Sequence, residues 1–361
     1  MKVLLLGEFS GFFNNLRDGL TELGHEVDMS SSGDGWKMVA KGNIKLFSNH
    51  KNVYLRKFLS LYYQLKNLHK LKGYDVVQIV SPDIFGNIRF GYNKWILTKI
   101  AKNNKKIILS NAGDHYYNYK VTLDKLKYGY YKEIATETNR FNNKYYKKNN
   151  QEILEVVDGI IPVMYTYAEA YRPCDKLLRT IPLPINLSKV EWTKQKIKNK
   201  KMIFFHGLNR EGSKGTKYIS EAMEKLKENY PDEVEIIIDG KMPLEKYLEI
   251  LKVTNVVIDQ ALSYEYGMNA LYSMAMGKVV LSGNEIECQR EFDRYDIPVI
   301  NIQPSVEDIY HKLEKLVKER EKIYDIGLKS RNFVSNFHDH VKVAQMYIDT
   351  WNNVEVGKNR G

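Results

Sequence analysis

The stretch Val256–Ser282 limits the fold of this chain more than any other. Its sequence predicts a buried strand, a polar turn ending at Gly267, a helix over Met268–Met276, and a second buried strand at Val279–Ser282. Such a unit belongs to a parallel α/β sheet, in which ligands bind at the carboxyl ends of the strands. We therefore expect Gly267 to let a phosphate or sugar approach the backbone, with the helix behind it.

The same alternation of short apolar runs and helical segments continues through both halves of the chain. In the first half, strands are predicted at Lys2–Leu6, Glu26–Met29, Asp75–Val80, Lys106–Ser110 and Gly159–Val163. In the second half, they are predicted at Met202–His206, Val234–Ile238, Val253–Asp259, Val279–Ser282 and Pro298–Ile302. Because 361 residues suffice for two cores, the pattern predicts an α/β protein with two doubly wound parallel sheets. The proline-containing segment Leu178–Ile185 marks the exit from the first domain.

Cysteine content and apolar runs constrain the compartment. The two cysteines, Cys174 and Cys288, lie far apart and lack metal-ligand spacing, which is typical of a reducing cytoplasm. The apolar run Val3–Leu6 is too short for a signal peptide, and no run approaches the roughly 20 residues that span a bilayer. We therefore expect a cytoplasmic protein, soluble or held peripherally at the inner face of the cell membrane.

The net charge of +11 is concentrated in one region, since residues 51–150 carry 20 basic and 6 acidic side chains. Within this region, Val53–Lys72 is a predicted helix that mixes lysines with leucines and aromatic residues. Two alternatives stay open for it. The helix packs its apolar side on the sheet and solvates its lysines, or it lies on an anionic bilayer surface. No motif that reads DNA or RNA is present, so we expect no nucleic-acid partner.

A loop in the second half carries cations suited to a diphosphate. It follows the strand Met202–His206 and places Arg210 and Lys214 among three glycines ahead of a helix. Arginine can bond two phosphate oxygens at once, and lysine acts as a point charge. The alternative is a charged, solvated loop. His25, His206, His338 and His340 lack metal-ligand spacing, so we treat them as structural and expect no metal.

The order and spacing of these segments resemble the GT-B glycosyltransferases of the large retaining family that uses nucleotide sugars, glycosyltransferase family four. In that family an acidic–x–(Phe/Tyr)–Gly element precedes Leu–Glu–Ala–Met–Ala–x–Gly–x–Pro–Val. The matching residues here are Tyr266, Gly267, Leu271, Met274, Ala275, Gly277 and Val279, together with the Lys214–Gly215 loop and the Ile181–Asn186 exit. The resemblance implies two Rossmann-like domains facing a central cleft. Residues 1–185 would bind the acceptor and residues 186–337 the nucleotide sugar, while residues 338–361 would pack back on the first domain.

Tyrosines occupy the two acidic positions of that family. Alignment on Gly267 and Gly277 puts Tyr264 at the first acid and Tyr272 at the second, which binds the ribose hydroxyls in the family. A tyrosine hydroxyl cannot grip both hydroxyls of a diol as a carboxylate does. Three alternatives stay open: the nucleotide is held differently, Glu265 takes the first acid's role, or activity is lost.

The resemblance also assigns roles to other loops. After the strand Val279–Ser282, Gly283 and Glu287 match a phosphate-binding turn, although an ordinary surface turn would have the same sequence. In the first half, Gly11 ends a strand-to-helix loop that offers N–H groups to an anion or sugar, or is simply a tight turn.

The segment after Lys106–Ser110 has Asn111 where related enzymes carry a histidine. Asp114 and His115 follow closely and are suited to orienting an acceptor hydroxyl or moving its proton. The alternative is that Asp114 caps the next helix.

The implied reaction is glycosyl transfer from a nucleotide-diphosphate sugar to a hydroxyl of a glycan or lipid-linked acceptor, with retained configuration and without metal or further cofactor. Two alternatives are a catalytically inactive protein that binds sugar nucleotides or glycans, and a sugar-nucleotide epimerase of the same fold. The predicted catalytic residues are Asp114 and Glu265. The predicted substrate-binding residues are Gly11, Asn111, His115, Arg210, Lys214, Tyr266, Gly267, Met268, Asn269, Tyr272, Gly283 and Glu287.

Overall fold

The structure, a computed structural model, describes residues 1–31, 42–134, 139–194, 201–208, 212–240, 242 and 244–355. The chain forms two compact units. Unit 1 comprises residues 1–124, 135–184 and 340–361, and unit 2 comprises residues 125–134 and 185–339. The division therefore falls at residue 184, within the predicted exit segment. A short piece from the middle of the first half, residues 125–134, packs with unit 2, and we call it the inserted segment.

Unit 1 contains a five-stranded parallel sheet with the order β2-β1-β3-β4-β5. Its strands are β1 (Lys2–Leu6), β2 (Glu26–Ser30), β3 (Val76–Ile79), β4 (Lys106–Leu109) and β5 (Gly159–Ile160). Its helices are α1 (Phe12–Glu22), α2 (Val53–Asn67), α3 (Tyr92–Lys102), α4 (Tyr116–Asp124), α5 (Lys144–Val156), α6 (Tyr165–Glu169) and α13 (His340–Asn353).

Unit 2 contains a second five-stranded parallel sheet, with the order β10-β9-β8-β6-β7. Its strands are β6 (Met202–Leu208), β7 (Val234–Gly240), β8 (Val256–Ile258), β9 (Val279–Ser282) and β10 (Ile300–Asn301). Its helices are α7 (Thr216–Asn229), α8 (Leu244–Val253), α9 (Met268–Ala275), α10 (Ile286–Phe292), α11 (Val306–Lys318) and α12 (Ile323–Phe337).

The two sheets share one topology, which confirms the predicted pair of doubly wound domains. In each, the first strand along the chain lies between the second and the third, so that the winding direction reverses at β1/β3 and at β6/β8. In open α/β sheets, ligands bind in the crevice that this reversal leaves at the carboxyl ends of the strands. The loops after β6 and β8 are therefore the first place to look for a site in unit 2.

Burial explains why the strands are visible in the sequence. Leu4 and Val77 in unit 1, and Phe204, Val256 and Val279 in unit 2, are fully buried in their sheets. A parallel sheet covered on both faces needs apolar residues throughout its strands. Runs such as Val76–Ile79 therefore contrast sharply with the lysine-rich segments around them.

The last helix, α13, belongs to unit 1 and packs closely on α1. A Cβ atom at Gly19 would lie 2.1 Å from the carbonyl oxygen of His340, so only glycine permits this approach. Trp351 Nε1 donates a hydrogen bond to Gln78 Oε1 (2.8 Å) inside the core, and His340 Nε2 lies 2.8 Å from Glu22 Oε1. These contacts make α13 part of the unit 1 core. Across the described ranges, no helix is both long and apolar enough to cross a membrane.

Candidate functional site

Lys214 joins the two loops that meet at the winding reversal of unit 2. Its carbonyl oxygen accepts a hydrogen bond from the Ala261 N–H (2.8 Å), and its Nζ donates to Asp259 Oδ1 (2.7 Å). The side chains of Lys214 and Asp259 are only 12% and 2% exposed. A carboxylate this deeply buried requires a charged partner, so the ion pair holds the loop after β6 against the loop after β8.

The first turn of α9 extends this arrangement. Asn269 Nδ2 donates to Asp259 Oδ1 (2.7 Å), and Asn269 Oδ1 accepts a hydrogen bond from the hydroxyl of Tyr247 in α8. Lys214, Asp259, Asn269 and Tyr247 thus form one connected set, which we call the Lys214 network. An ammonium group has three N–H donors and the bond to Asp259 uses one, so Lys214 retains capacity to bind an anion.

His206 lies beneath the network and is fully buried. Because the carbonyl of Ile258 only accepts, Nδ1 of His206 donates to it (2.8 Å), and Nε2 accepts from the Thr216 hydroxyl (3.0 Å). Burial lowers the pKa of His206 to about 4, which keeps the ring neutral near pH 7. The ring ties β6 to β8 and to the first residue of α7, next to Gly215, whose φ of 73° is left-handed.

The residues around Gly267 divide between the site and the core. Gly267 caps α9 with extended backbone, and Met268, the first helical residue, is buried. Tyr266 is also buried, and its hydroxyl lies 3.1 Å from His338 Nε2. Its side chain therefore packs against the end of α12, so Tyr266 can contact a substrate only through its main chain.

Tyr272 lies one turn after Asn269 on α9, so the two side chains lie on the same face of the helix. Both side chains are partly buried. This places a single hydroxyl, rather than a carboxylate, one helical turn from the Lys214 network.

The loop after β9 packs on the loop after β8. A Cβ atom at Gly283 would lie 2.1 Å from the carbonyl oxygen of Ser263 and 2.7 Å from the backbone nitrogen of Glu265. The close approach at Gly283 is therefore to the protein's own backbone. Glu265 itself is 2% exposed, whereas Glu287 is partly exposed in the first turn of α10.

The inserted segment docks at Tyr264. The Tyr264 hydroxyl accepts a hydrogen bond from the Lys127 N–H (2.8 Å), and the Tyr128 ring lies 4.9 Å from the Tyr264 ring. At its other end, the carboxylate of Glu133 bonds the ammonium of Lys217. Tyr264 therefore holds a strand-to-helix loop and the inserted segment together through its ring and its hydroxyl.

Glu285 forms the second anchor of the inserted segment. Its Oε1 accepts hydrogen bonds from the Tyr128 hydroxyl (2.6 Å), Asn301 Nδ2 (2.9 Å) and Gln303 Nε2 (2.9 Å). Burial alone would raise the pKa of Glu285, but these three donors hold it below its usual value. After β9, the acid that accepts these hydrogen bonds is thus Glu285, which lies two residues before the predicted Glu287.

In unit 1, the start of α1 already carries an anion from the protein itself. The Glu8 carboxylate accepts hydrogen bonds from the N–H groups of Gly11 (3.0 Å) and Asn14 (2.8 Å), and its side chain is buried. A carboxylate at this position satisfies the free N–H groups and the helix dipole. The N–H of Gly11 that we predicted to face a substrate is therefore used internally.

The loop after β4 carries the other predicted residues of unit 1. Asn111 is fully buried with φ of 52°, and its Nδ2 donates to the Tyr167 carbonyl (3.0 Å). His115 caps α4, because its Nδ1 accepts from the Asn118 N–H (3.2 Å). Burial lowers the pKa of His115 to about 3, so the ring is neutral, while Asp114 is partly exposed.

The structure thus gathers Lys214, Gly267, Met268, Asn269 and Tyr272 around one edge of unit 2. Arg210 lies outside the described residues. Asp259, Tyr247 and Glu285 were not among the site residues predicted from the sequence. Asp259 was detectable, since it directly follows a buried strand. Within the described ranges, no group of three or more His, Cys, Asp or Glu side chains is placed to hold a metal ion.

This architecture also occurs in proteins of known structure. No family model and no curated protein matches the chain. Solved structures match along nearly its whole length. Sucrose-phosphate synthase from Thermosynechococcus elongatus superposes with a TM-score of 0.63 at 13% identity, covering 98% of both chains. Anabaena HepE, solved with UDP and glucose, gives 0.64 at 10% identity, covering 98% of this chain and 99% of its own. The fold is GT-B.

The same GT-B architecture also occurs in a sugar-nucleotide epimerase. UDP-GlcNAc 2-epimerase from Neisseria meningitidis, bound to UDP-GlcNAc, superposes with a TM-score of 0.57 at 13% identity, covering 97% of this chain and 99% of its own. At these identities the comparison establishes the fold, and the choice of reaction depends on the residues of the site.

Proposed function

We propose that this protein is a glycosyltransferase that moves a sugar from a nucleotide-diphosphate sugar to a hydroxyl group of a glycan or lipid-linked acceptor. The observation that carries the proposal is the Lys214 network, a buried ion pair beside the start of α9 at the winding reversal of unit 2. Its GT-B fold is shared with HepE, solved with UDP-glucose, which supports a nucleotide sugar as the donor class.

In this proposal, Lys214 and Arg210 neutralise the diphosphate that leaves as the glycosidic bond breaks. Two protein cations at a leaving diphosphate supply the electrostatic stabilisation that a metal supplies in other enzymes, so the proposed reaction needs no metal or cofactor. The N–H groups of Met268 and Asn269 face the phosphates at the start of α9. Tyr272 gives the ribose one hydrogen bond. Retention of configuration is part of the same proposal and follows the resemblance.

Unit 1 would supply the acceptor side. Asp114 is the partly exposed acid of the loop after β4, and we propose that it orients the acceptor hydroxyl or takes its proton. His115 is neutral and caps α4, so its proposed role is to fix the loop that carries Asn111 and Asp114. Glu265 is the candidate for the family's first acid, in a buried position beside the α9 cap.

The test is a thermal-shift screen against UDP, GDP, CMP, dTDP and their common sugars. A ligand that binds only the folded protein raises its melting temperature with the logarithm of saturation. We expect a shift with one diphosphate nucleotide that is lost in Lys214→Ala. The matched control is Lys225→Ala, because Lys225 is a 40%-exposed lysine of α7 paired with Glu307. No shift with any nucleotide, or an equal shift in Lys214→Ala, would reject the proposed donor site.

Two measurements separate the proposed reaction from its alternatives. The Neisseria structure supports an epimerase as the second candidate. An epimerase would convert the nucleotide sugar to its epimer in the absence of acceptor. NMR of the nucleotide sugar, incubated with the protein alone, detects that change. A glycosyltransferase instead releases free nucleotide when acceptor is added, whereas an inactive binding protein shifts thermally and releases none.

A further inference from the structure

Helix α2 of unit 1 exposes its apolar side, which a surface helix normally packs against the core. Twelve large hydrophobic residues of the described chain are exposed, and six of them lie on this one helix. They include Tyr54 at 83%, Phe58 at 67% and Leu65 at 49% exposure. A surface helix usually turns its apolar stripe to the core, so this arrangement calls for a ligand outside the chain.

The side of α2 that faces the unit is polar. Gln64 is the buried residue of the helix, the Ser60 hydroxyl accepts from the Ser48 N–H (2.9 Å), and Asn67 Nδ2 donates to the Lys45 carbonyl (3.0 Å). These residues recur every three or four positions and so share one face. Because polar contacts hold the helix in place, packing within unit 1 does not use the apolar face.

The opposite face carries a continuous apolar stripe, formed by Tyr54, Leu55, Phe58, Tyr62 and Leu65. At about 100° per residue, the stripe spans a little over 100° of the helix circumference. The α2 helix has 15 residues, or roughly 22 Å, which is too short to cross a bilayer but long enough to lie along its surface.

The charge around the stripe is uniformly positive. Residues 42–74 contain seven Lys or Arg and no Asp or Glu. Lys57 and Lys66 flank the stripe on its two sides by the same helical geometry, whereas Arg56 lies on the opposite, polar side. An apolar stripe bordered by cations with no acid nearby matches the interface of an anionic bilayer, where side chains enter the acyl boundary and cations meet lipid phosphates.

We propose that α2 binds the surface of an anionic membrane, with the stripe inserted at the headgroup boundary and Lys57 and Lys66 on lipid phosphates. The inference goes beyond glycosyl transfer, because it concerns where the protein acts and needs neither donor nor acceptor. The alternatives, a second copy of the chain or a protein partner on the stripe, are outcomes of the test below.

The test is co-sedimentation of the full-length protein with vesicles of phosphatidylcholine alone and of equal parts phosphatidylcholine and phosphatidylglycerol. The stripe variant is Tyr54→Ser/Phe58→Ser/Leu65→Ser. Its matched control is Tyr295→Ser, at a 64%-exposed aromatic residue of unit 2. We expect the stripe variant to bind anionic vesicles at least roughly 30-fold more weakly, since it loses three apolar insertions. The control should bind as the unchanged protein does.

The charge variant is Lys57→Gln/Lys66→Gln, and its control is Lys225→Gln/Lys246→Gln in unit 2. Each cation near an anionic surface contributes about a factor of five, so the charge variant should bind roughly 25-fold more weakly at low salt. The difference should shrink as salt is raised. Neutral vesicles should not distinguish the charge variant from its control.

The variants alter exposed positions, so circular dichroism and melting temperature should match the unchanged protein. Failure of the unchanged protein to bind anionic vesicles would overturn the proposal, as would full binding by the stripe variant. Light scattering after size exclusion provides the other decisive outcome. If the protein is a dimer that the stripe variant dissociates, and vesicles do not bind, the stripe is an interface between copies.

Discussion

Replacing Lys214 by methionine tests how much the buried ion pair of the candidate site contributes to the folding free energy. Asp259 is 2% exposed, and its Oδ1 accepts from Lys214 Nζ and Asn269 Nδ2, each at 2.7 Å. In Lys214→Met, the carboxylate keeps the Asn269 amide and loses the ammonium group that neutralises its charge. Breaking a buried pair in this way costs about 3–5 kcal/mol of folding free energy.

The size of the expected shift follows from the size of the unit. For a domain of this length, 1 kcal/mol lowers the melting temperature by about 2–4 °C, so Lys214→Met should lower it by roughly 6–20 °C. Differential scanning calorimetry is the suitable assay, because two units can melt in separate transitions. The matched control is Lys225→Met, which removes an exposed pair and should cost less than about 1 kcal/mol.

A double-mutant cycle isolates the interaction from the loss of the lysine side chain. Asp259→Asn removes the charge that Lys214 neutralises, so Lys214→Met/Asp259→Asn should recover most of the stability. We expect a coupling free energy of about 2–4 kcal/mol between the two positions. The reasoning is refuted if Lys214→Met costs less than about 1 kcal/mol, or if it costs as much in the Asp259→Asn background as in the unchanged protein.

Four further predictions concern residues whose roles the structure redefines. His115→Asn keeps a hydrogen-bond acceptor at the cap of α4 but removes the titrating imidazole. Because the pKa of His115 is near 6.5 in the unfolded chain and about 3 in the folded protein, the unchanged protein should lose roughly 2–3 kcal/mol of unfolding free energy as pH falls from 7 to 4.5. Urea titrations should show a smaller loss in the variant. Gly283→Ala should lower stability without ligand by at least about 2 kcal/mol, because its Cβ would meet the Ser263 carbonyl; a variant of full stability that only weakens nucleotide binding would favour a phosphate contact instead. Lys278→Met should stabilise the protein at pH 7, because burial lowers the folded pKa of Lys278 to about 8, and its advantage in urea should diminish between pH 8 and 10.5 as the unchanged protein gains stability. Tyr264→Glu should melt well below Tyr264→Phe, which keeps the ring beside Tyr128. Equal melting temperatures would show that the surrounding carboxylates do not disfavour a negative charge at position 264.

Much of the fold was predictable because parallel strands buried on both faces must be apolar along their length. Lys2–Leu6 and Val279–Ser282 were predicted with the bounds that the structure gives. Helices α3, α5 and α6 were missed, whereas a helix was expected after Asp114, where α4 lies. The sequence of α5, Lys144–Val156, is rich in lysine, tyrosine and asparagine, and the buried residues of this helix include the polar Asn149 and Asn150.

The site was less predictable, since its key contacts join residues far apart in the chain. The loop cations and the residues after Gly267 were found from their position between strand and helix. The bond from Tyr247 to Asn269 has no local signal, because it depends on where α8 packs. The choice of Glu287 over Glu285 relied on spacing alone, whereas the structure engages Glu285 through Tyr128, whose place in the sequence is more than 150 residues away.

The orientation of α2 shows a different limit. The pattern of leucines, tyrosines and lysines in Val53–Lys72 predicts an amphipathic helix, and it does so whichever face is turned inward. The inward contacts of Ser60 and Asn67 and the burial of Gln64 decide which face is turned toward the unit. Those residues read in sequence as part of an ordinary solvated face. The packing alternative stated from sequence is therefore wrong for the N-terminal part of this helix, whose apolar residues are exposed.

Tyr264 aligns with an acid of the family that the sequence resembles, and its surroundings supply a physical reason for a tyrosine here. Burial raises the pKa of the Tyr264 hydroxyl, and the nearby carboxylates of Glu287, Glu285 and Glu265 raise it further, so a negative charge is disfavoured at this position. A fourth carboxylate here would add repulsion and lose the ring contact with Tyr128. The inserted segment and the acids around it therefore both favour a neutral aromatic ring at this position. Position 264 thus anchors residues 125–134, while the neighbouring acids are Glu265 and Glu285.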